Sequence, residues 1–359
     1  MFAKPRFAAA LALAALAVGG CAAAGTSTPS QGGATGTLSD AGAAVSSTDG
    51  TQSAAASSAG TTADATATAY PLTIDNCGTT VTFTAAPQRV VAIKSTSIEM
   101  MLALGLADRI IGVAFPDGPY APQWAPGGDL PLISDKVPGE EATLALKPDL
   151  VYAGWESNVS ADGAGDRASL AAAGVATFVS PAACQEAKYQ PHPLTWDDLF
   201  SEIVQMGRIF AVPQAAAALV NRQRAELAAI KPDGRGLTAL WYSSGSKTPY
   251  VGAGIGNPQL VMDAVGLKNI AADLPMTWSS LSWEAVIAAD PDVIVLVDSS
   301  WGSTQKKIAQ LEGNPATAAL TAVRHHRYLV VPFPASEAGV RSVEAVQTLS
   351  AQLVKLNLP

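Results

Sequence analysis

The stretch "EATLALKPDLVYAGW" (Glu141–Trp155) decides the fold, because a second version of it, "EAVIAADPDVIVLVD" (Glu284–Asp298), lies in the other half of the chain. Each copy reads as a short helix followed by a continuous apolar strand. The matched positions are Glu141 and Glu284, Pro148 and Pro291, and Asp149 and Asp292. A unit repeated so far apart indicates two similar halves.

The same alternation extends outward from both copies. Residues 71–83 alternate apolar and polar side chains around a turn, which predicts a β-hairpin, and "RVVAI" (Arg89–Ile93) begins a series of buried strands and helices. Helices alternating with continuous apolar strands predict parallel sheets covered on both faces. We therefore predict an α/β fold of two Rossmann-like lobes joined by one long helix, roughly Thr195 to Ile230, with a ligand crevice between the carboxyl ends of their strands.

The N-terminal region has a composition of its own. Lys4 and Arg6 precede a short apolar stretch, which is typical of a secretory signal, and "VGGC" (Val18–Cys21) resembles a bacterial lipobox, whose cysteine receives lipid. An ordinary signal peptide with a chance cysteine is the alternative. The following small and polar residues cannot bury enough apolar surface to fold.

We predict a signal peptide over 1–20, a lipidated Cys21 and disordered tether over 21–70, a first lobe over 71–194, the joining helix region over 195–232, and a second lobe with a terminal helix over 233–359.

Charge, cysteines and histidines limit the function classes. The net charge of −8 argues against a nucleic-acid partner. Besides Cys21 the chain has Cys77 and Cys184, and two cysteines in an exported protein predict one disulfide, with two separate thiols as the alternative. Only three histidines are present, so the sequence favours neither a metal-ion receptor nor a hydrolase.

The motifs "P-x-RVV", "E-x-x-L-A-L-x-P-D-L-V" and "WEAVIAADPDVIVL" resemble the solute-binding lipoproteins of ABC importers for iron–siderophores and corrinoids. The resemblance covers about residues 71–359. Within that class, "NCG", "IKSTSIEMMLALGL", "YVGAGIGNPQLVMDAVGL" and "EAGVRSVEAV" resemble actinobacterial proteins proposed to import a deazaflavin coenzyme precursor. The class implies one surface glutamate per lobe that contacts the permease, and Glu141 and Glu284 occupy the matching positions.

Residues just beyond the predicted strand ends are the candidates for lining the crevice. Aromatic rings there suit a flat or polycyclic ligand, and Lys94 with Arg341 suits a carboxylate or phosphate. The predicted ligand-binding residues are Lys94, Ser95, Ser97, Phe115, Asp117, Trp155, Tyr242, Ser243, Tyr250, Trp301, Phe333 and Arg341.

These observations predict a receptor, not an enzyme, with no cofactor and no metal, held by its lipid anchor on the extracytoplasmic face of the cell membrane. We expect a monomer that delivers a small ligand to an ABC permease dimer with its ATPase. A deazaflavin precursor is the favoured ligand. A ferric siderophore or a corrinoid is the alternative within the class, and a metal-ion receptor or a secreted hydrolase is the alternative outside it.

Overall fold

A computed structural model of the protein describes residues 68–190 and 192–356. The predicted signal peptide, the lipidation site at Cys21 and nearly all of the predicted tether lie outside the described residues. Among the helices within these ranges, none combines the length and the apolar composition needed to cross a membrane.

The first lobe alternates strands with helices. Its strands are β1 (Leu72–Asn76), β2 (Thr79–Phe83), β3 (Val90–Ile93), β4 (Ile110–Ala114), β5 (Leu132–Ser134), β6 (Leu150–Ala153) and β7 (Ala176–Val179). Its α-helices are α1 (Ser95–Ala103), α2 (Glu140–Ala145) and α3 (Arg167–Ala172). Single turns of 3₁₀ helix span Ala107–Arg109, Pro122–Trp124, Glu156–Val159, Pro181–Ala183 and Ala187–Tyr189.

The joining region and the second lobe follow. The joining region holds α4 (Trp196–Ile209) and α5 (Pro213–Ala228). The strands of the second lobe are β8 (Thr238–Ser244), β9 (Tyr250–Gly252), β10 (Lys268–Asn269), β11 (Trp278–Ser280), β12 (Val293–Asp298) and β13 (Tyr328–Pro332). Its helices are α6 (Asn257–Val265), α7 (Trp283–Ala289), α8 (Thr304–Gly313), α9 (Pro315–Ala318), α10 (Thr321–Arg324), α11 (Phe333–Ser336) and α12 (Ser342–Leu353).

Each lobe contains its own sheet. The first has the strand order β5-β4-β3-β6-β7, all parallel, while β1 and β2 form the predicted antiparallel hairpin. The second has the order β11-β9-β8-β12-β13, with β10 also paired to β8. In it β8, β10, β12 and β13 are parallel, whereas β9 pairs antiparallel with β8, and the edge strand β11 pairs antiparallel with β9. The short turn between β8 and β9 explains this departure from the predicted parallel sheet, because a parallel pair needs a crossover of about a dozen residues.

Both sheets are buried on both faces. In β3, Val90 and Ala92 belong to the core packed under α1, α4 and α5, whereas Val91 and Ile93 belong to a separate core on the opposite face. In the second lobe, Trp241 and Leu240 of β8 likewise point to opposite cores. The continuous apolar runs in the sequence correspond to these two-sided strands, so the predicted α/β class is confirmed.

The repeated aspartates have the same structural role in both lobes. The Asp149 carboxylate accepts hydrogen bonds from the backbone N–H groups of Gln88 and Arg89, just before β3, at 2.7 and 3.0 Å. The Asp292 carboxylate accepts from the backbone N–H and the hydroxyl of Thr238, the first residue of β8, at 2.8 Å each. Each aspartate therefore links the start of its own strand to the start of the neighbouring strand by hydrogen bonds.

The joining region differs from the predicted single helix. Ala211 has φ 55°, in the left-handed region, and Pro213 begins α5 without an N–H that could continue the hydrogen bonds of α4. Arg224, near the end of α5, contacts Asp197, in the first turn of α4, at 2.7 Å. The two helices therefore run antiparallel beside each other, and the prediction of one long helix is wrong.

Cys77 and Cys184 form the predicted disulfide, which joins positions 107 residues apart. Cys77 lies in the turn of the hairpin, and Cys184 follows β7. The Asn76 side chain adds two hydrogen bonds of 2.8 Å to the backbone of Val179. Together these contacts fix the hairpin to the edge of the first sheet.

Candidate ligand-binding site

A cavity of about 1090 Å³ lies between the two lobes, at the carboxyl ends of their central strands. Phe115 follows β4 and Trp155 follows β6 on the side of the first lobe. Ser243 lies near the end of β8, Trp301 follows β12, and Phe333 follows β13 on the side of the second lobe. This is where the strand pattern places the crevice.

Four aromatic residues from both lobes, Phe115, Trp155, Phe333 and Trp301, form a continuous group that we call the aromatic cluster. Successive ring centroids are 6.1, 6.4 and 4.5 Å apart, and each pair meets edge to face. Such pairs contribute about 0.5–1.5 kcal/mol beyond the area that they bury. Tyr250, with Trp278 stacked against it at 6.2 Å, adds a second aromatic surface to the cavity wall.

Lys94 lies beneath the aromatic cluster and is fully buried. Its ammonium group is 3.6 Å from the ring centroid of Trp155 and 4.1 Å from that of Phe115, and it donates to the carboxylate of Asp117. Burial lowers the pKa of Lys94 and raises the pKa of Asp117, while their mutual attraction opposes both changes. The positive charge is therefore neutralised within the protein and stabilised by ring faces.

Glu337 connects the lobes at the cavity. Its carboxylate accepts a hydrogen bond of 2.8 Å from the indole N–H of Trp155. Burial raises the pKa of Glu337 to about 6, and the nearby Lys94 and the Trp155 hydrogen bond act in the opposite direction. A carboxylate from the second lobe thus orients a ring of the first.

Arg341 lies outside the cavity lining. Its guanidinium is buried and contacts the Glu99 carboxylate at 3.3 Å and the Glu344 carboxylate at 2.6 Å. It also donates to the Pro119 carbonyl at 3.2 Å. Arg341 therefore bridges the lobes, and with Lys94 paired to Asp117, the two cations expected to hold a ligand anion are engaged inside the protein.

The structure places the other predicted residues in two groups. Phe115, Trp155, Ser243, Tyr250, Trp301 and Phe333 line the cavity. Ser95, Ser97 and Tyr242 are buried outside the lining. Ser95 accepts from the backbone N–H of Asp117, Ser97 donates to the Ile93 carbonyl at the start of α1, and Tyr242 donates to the Gly245 carbonyl.

Several lining residues were not predicted. They include Thr96, Glu156, Ser180, Lys188, Tyr189, His192, Asp198, Asn257, Met276, Trp278 and Glu337. Glu337 stands in the motif "EAGVRSVEAV", which was a signal available in the sequence. Of the rest, Ser180, His192 and Met276 lie outside helices and strands, and Glu156, Lys188 and Tyr189 lie in single 3₁₀ turns, where no hydrophobic period indicates direction. Thr96, Asp198, Asn257 and Trp278 lie among the first residues of α1, α4, α6 and β11.

The repeated glutamates occupy equivalent positions. Glu141 is the second residue of α2 and Glu284 is the second residue of α7, and both are exposed. Glu140, which precedes Glu141, is partly buried. A carboxylate at either site lies in the first turn of its helix, where it complements the helix dipole.

Within the described ranges, no group of three or more His, Cys, Asp or Glu residues is arranged to hold a metal ion. His325 and His326 are exposed, and the ring of His326 contacts Glu312 at 3.0 Å. His192 lines the cavity and lies 3.8 Å from Asp198.

A two-lobed α/β fold with an aromatic cavity between the lobes is typical of a receptor for a small ligand. Residues 90–335 match the periplasmic binding protein family, and the chain belongs to it. An uncharacterized ABC transporter substrate-binding lipoprotein of Bacillus subtilis is 25% identical over 297 residues, covering 79% of this chain and 86% of that protein. A cobalamin-binding protein of Halobacterium salinarum is 30% identical over 242 residues, covering 63% of this chain and 58% of that protein.

Solved structures agree. A crystal structure of an ABC-type Fe³⁺-hydroxamate transport system from Saccharomonospora viridis has a TM-score of 0.69 and 27% identity, covering 79% of this chain and 99% of that one. A periplasmic binding protein from Veillonella parvula has a TM-score of 0.70 and 26% identity, covering 80% and 98%. The chain is therefore an ABC-type substrate-binding protein, a transport receptor and not an enzyme. Such receptors bind a small ligand and work with a permease and its ATPase.

Proposed function

We propose that this protein captures a flat or polycyclic small molecule outside the cell and delivers it to an ABC importer, and that the molecule is a deazaflavin coenzyme precursor. The observation that carries the proposal is the aromatic cluster in a cavity between two lobes. The choice of a deazaflavin rests on the motifs quoted above. A ring system stacked on Trp155 and Trp301 would have hydroxyl and amide partners in Thr96, Ser180 and Asn257.

A corrinoid or a ferric siderophore is the second candidate. It is supported by relatives named as cobalamin-binding or vitamin B12-binding proteins and by the Fe³⁺-hydroxamate system among the structural neighbours. A cavity of about 1090 Å³ is large enough for the bulkier ligands of this class.

Tryptophan fluorescence tests the ligand directly. Of the seven tryptophans, Trp155, Trp278 and Trp301 line the cavity. We would titrate the purified protein with a deazaflavin precursor, a corrinoid and a panel of ferric siderophores. Saturable quenching by the deazaflavin alone is the expected result, whereas quenching by a corrinoid or a siderophore alone would replace the ligand and keep the receptor.

A matched pair of variants separates the cavity from the rest of the protein. Trp155→Leu should weaken binding about tenfold or more, because it removes a ring face together with the hydrogen bond to Glu337. Trp196→Leu removes a partly buried indole outside the lining and should leave the affinity unchanged. Equal affinities in the two variants would place the ligand elsewhere.

We further propose that Glu141 and Glu284 contact the two permease subunits. Their equivalent, exposed positions at two similar helices support this assignment. The double variant Glu141→Ala, Glu284→Ala should stop uptake in cells while ligand affinity stays intact, with Glu312→Ala, at an exposed carboxylate outside the cavity lining, as a control. Undiminished uptake in the double variant would refute the docking assignment.

The membrane attachment of the proposed receptor is a lipid on Cys21. The variant Cys21→Ser should release the protein from the membrane fraction, with loss of the lipid mass from the N-terminal peptide. A Cys21→Ser protein that still sediments with membranes would refute the anchor. We propose that the receptor acts as a monomer.

A further inference from the structure

The charged side chains that line the cavity are mostly carboxylates. The lining contains the carboxylates of Glu156, Asp198 and Glu337 and, within the described part of the chain, one lysine, Lys188. Lys188 is exposed and already contacts the Glu186 carboxylate at 2.8 Å. The wall therefore presents an excess of negative charge to whatever enters.

The cations nearest the wall offset this excess only in part, since Lys94 attracts the carboxylate of Glu337 as well as that of Asp117, and Arg167 attracts that of Glu156. The Lys94 ammonium is bound by Asp117, and the Arg341 guanidinium is bound by Glu99 and Glu344. His192 also lines the cavity, and its ring lies 3.8 Å from the Asp198 carboxylate. An anionic ligand would thus lose its water without gaining a free cation, and such desolvation is costly.

The ring faces act in the same direction as the carboxylates. The aromatic cluster already holds one cation of the protein itself, with the Lys94 ammonium 3.6 Å from Trp155, 4.1 Å from Phe115, 5.1 Å from Phe333 and 5.8 Å from Trp301. Aromatic faces carry negative electrostatic potential, which attracts cations and repels anions. Two independent features of the wall, its carboxylates and its rings, therefore disfavour negative charge.

We propose that the cavity selects against negatively charged ligands, so that the imported molecule is neutral or positively charged. This inference rests on the proposed function and narrows its ligand class. Among flat-ring ligands it favours a form with an uncharged polyol chain over a phosphorylated form, and among iron chelates it favours neutral or cationic complexes over anionic ones.

The test uses probes that differ in charge on one scaffold. Riboflavin and its 5′-phosphate form one series, and ferrioxamine B, with a free ammonium group, forms another with its neutral N-acetyl and anionic N-succinyl derivatives. Affinities are measured by tryptophan quenching at low salt and at 0.5 M NaCl. In whichever series binds, the affinity for the anionic probe should be at least tenfold lower than the affinity for the neutral probe. High salt should reduce this difference in affinity, because it screens the charges.

A variant pair links the selection to the wall. Glu337→Gln keeps an acceptor for the Trp155 indole and removes one negative charge, so it should reduce the difference in affinity between neutral and anionic probes severalfold. Glu312→Gln removes a carboxylate outside the lining and should leave that difference in affinity unchanged. If the anionic probes bind as tightly as the neutral ones, the selection is overturned and the receptor function stands. If none of the five probes, the deazaflavin or the corrinoid binds, the proposed function fails and this inference fails with it.

Discussion

Glu202 offers a quantitative test of the structure, because it is a buried carboxylate in a position where glutamine fits. It lies on α4 behind the first sheet, and its carboxylate accepts a hydrogen bond of 3.0 Å from the Tyr152 hydroxyl of β6. Burial raises the pKa of Glu202 from 4.5 to about 7, and the hydrogen bonds from Ser180 and Tyr152 oppose part of that rise. The Ser180 side chain also lines the cavity, so this group connects the core to the ligand site.

The expected free energy follows from the change in pKa. A rise of about 2.5 corresponds to about 3 kcal/mol at 25 °C. Between pH 4.5 and 7 the folded protein binds the Glu202 proton more tightly than the unfolded chain does, so the contribution to stability is complete below pH 4.5 and is lost as pH rises through about 7. Glu202→Gln is neutral throughout and still accepts from Tyr152. The variant should therefore be more stable than the wild-type protein by about 3 kcal/mol at pH 8, and the difference should fall to about 1 kcal/mol at pH 5 and vanish below about pH 4.

Urea denaturation of both proteins at pH 5, 6, 7 and 8, followed by fluorescence and circular dichroism, measures the difference. Glu99 and Glu337 also titrate in this range, with pKa values of about 7 and about 6, but they are common to both proteins and cancel. Glu141→Gln, at an exposed carboxylate, is the control and should follow the wild-type profile. A stability difference that is constant with pH, or a Glu202→Gln protein less stable at pH 8, would refute the reasoning.

Two further substitutions test assignments made from contacts. Arg341→Met leaves the buried Glu99 carboxylate without its guanidinium and should lower the free energy of unfolding by about 3–5 kcal/mol at pH 8, measured by urea denaturation. The loss should be smaller at pH 6, because Glu99 then takes up a proton. Ligand affinity should change less than threefold, and a tenfold loss would mean that Arg341 binds the ligand after all. Lys307→Met removes the ammonium that binds the carbonyls of Val297 and Gly302. Gly302 keeps a longer hydrogen bond from the Ser299 hydroxyl at 3.2 Å, so the loss of the two charged hydrogen bonds should cost about 1–3 kcal/mol and loosen the loop that carries Trp301. Faster proteolysis within residues 299–303 and weaker ligand binding are expected, and an unchanged cleavage rate would contradict that role.

The repeated unit made much of the fold predictable from sequence. Apolar runs such as β3 and β12 fixed the two-sided strands, and the matching Pro-Asp positions placed an equivalent helix and strand in each lobe. The crevice followed from topology, because parallel strands bring the residues after their carboxyl ends to one edge. Six of the twelve predicted ligand-binding residues lie on the cavity wall, five of them at or just beyond such strand ends and Tyr250 at the start of the antiparallel β9.

The rest depended on contacts between residues distant in sequence. Arg341 and Glu99 are 242 positions apart, and nothing in the spacing of either residue indicates the other. Ala211 adopts the left-handed conformation just after α4, where glycine or asparagine is the usual residue, so the sequence carries no such signal for the end of this helix. Hydrophobic periodicity predicts which face of an element is buried, and it does not report which charged side chains neutralise each other.

The same limitation explains why the two cations predicted to bind a ligand anion proved to be internal. A receptor with two lobes must fix the position of one lobe against the other, and buried charged pairs are effective only where both partners are present. Arg341 with Glu99 and Trp155 with Glu337 both cross from one lobe to the other. Charged and aromatic residues near the strand ends therefore serve two purposes, positioning the lobes and lining the cavity. Trp155 and Glu337 serve both purposes, and the wall of the cavity offers the ligand mainly aromatic rings, hydroxyls, amides and carboxylates.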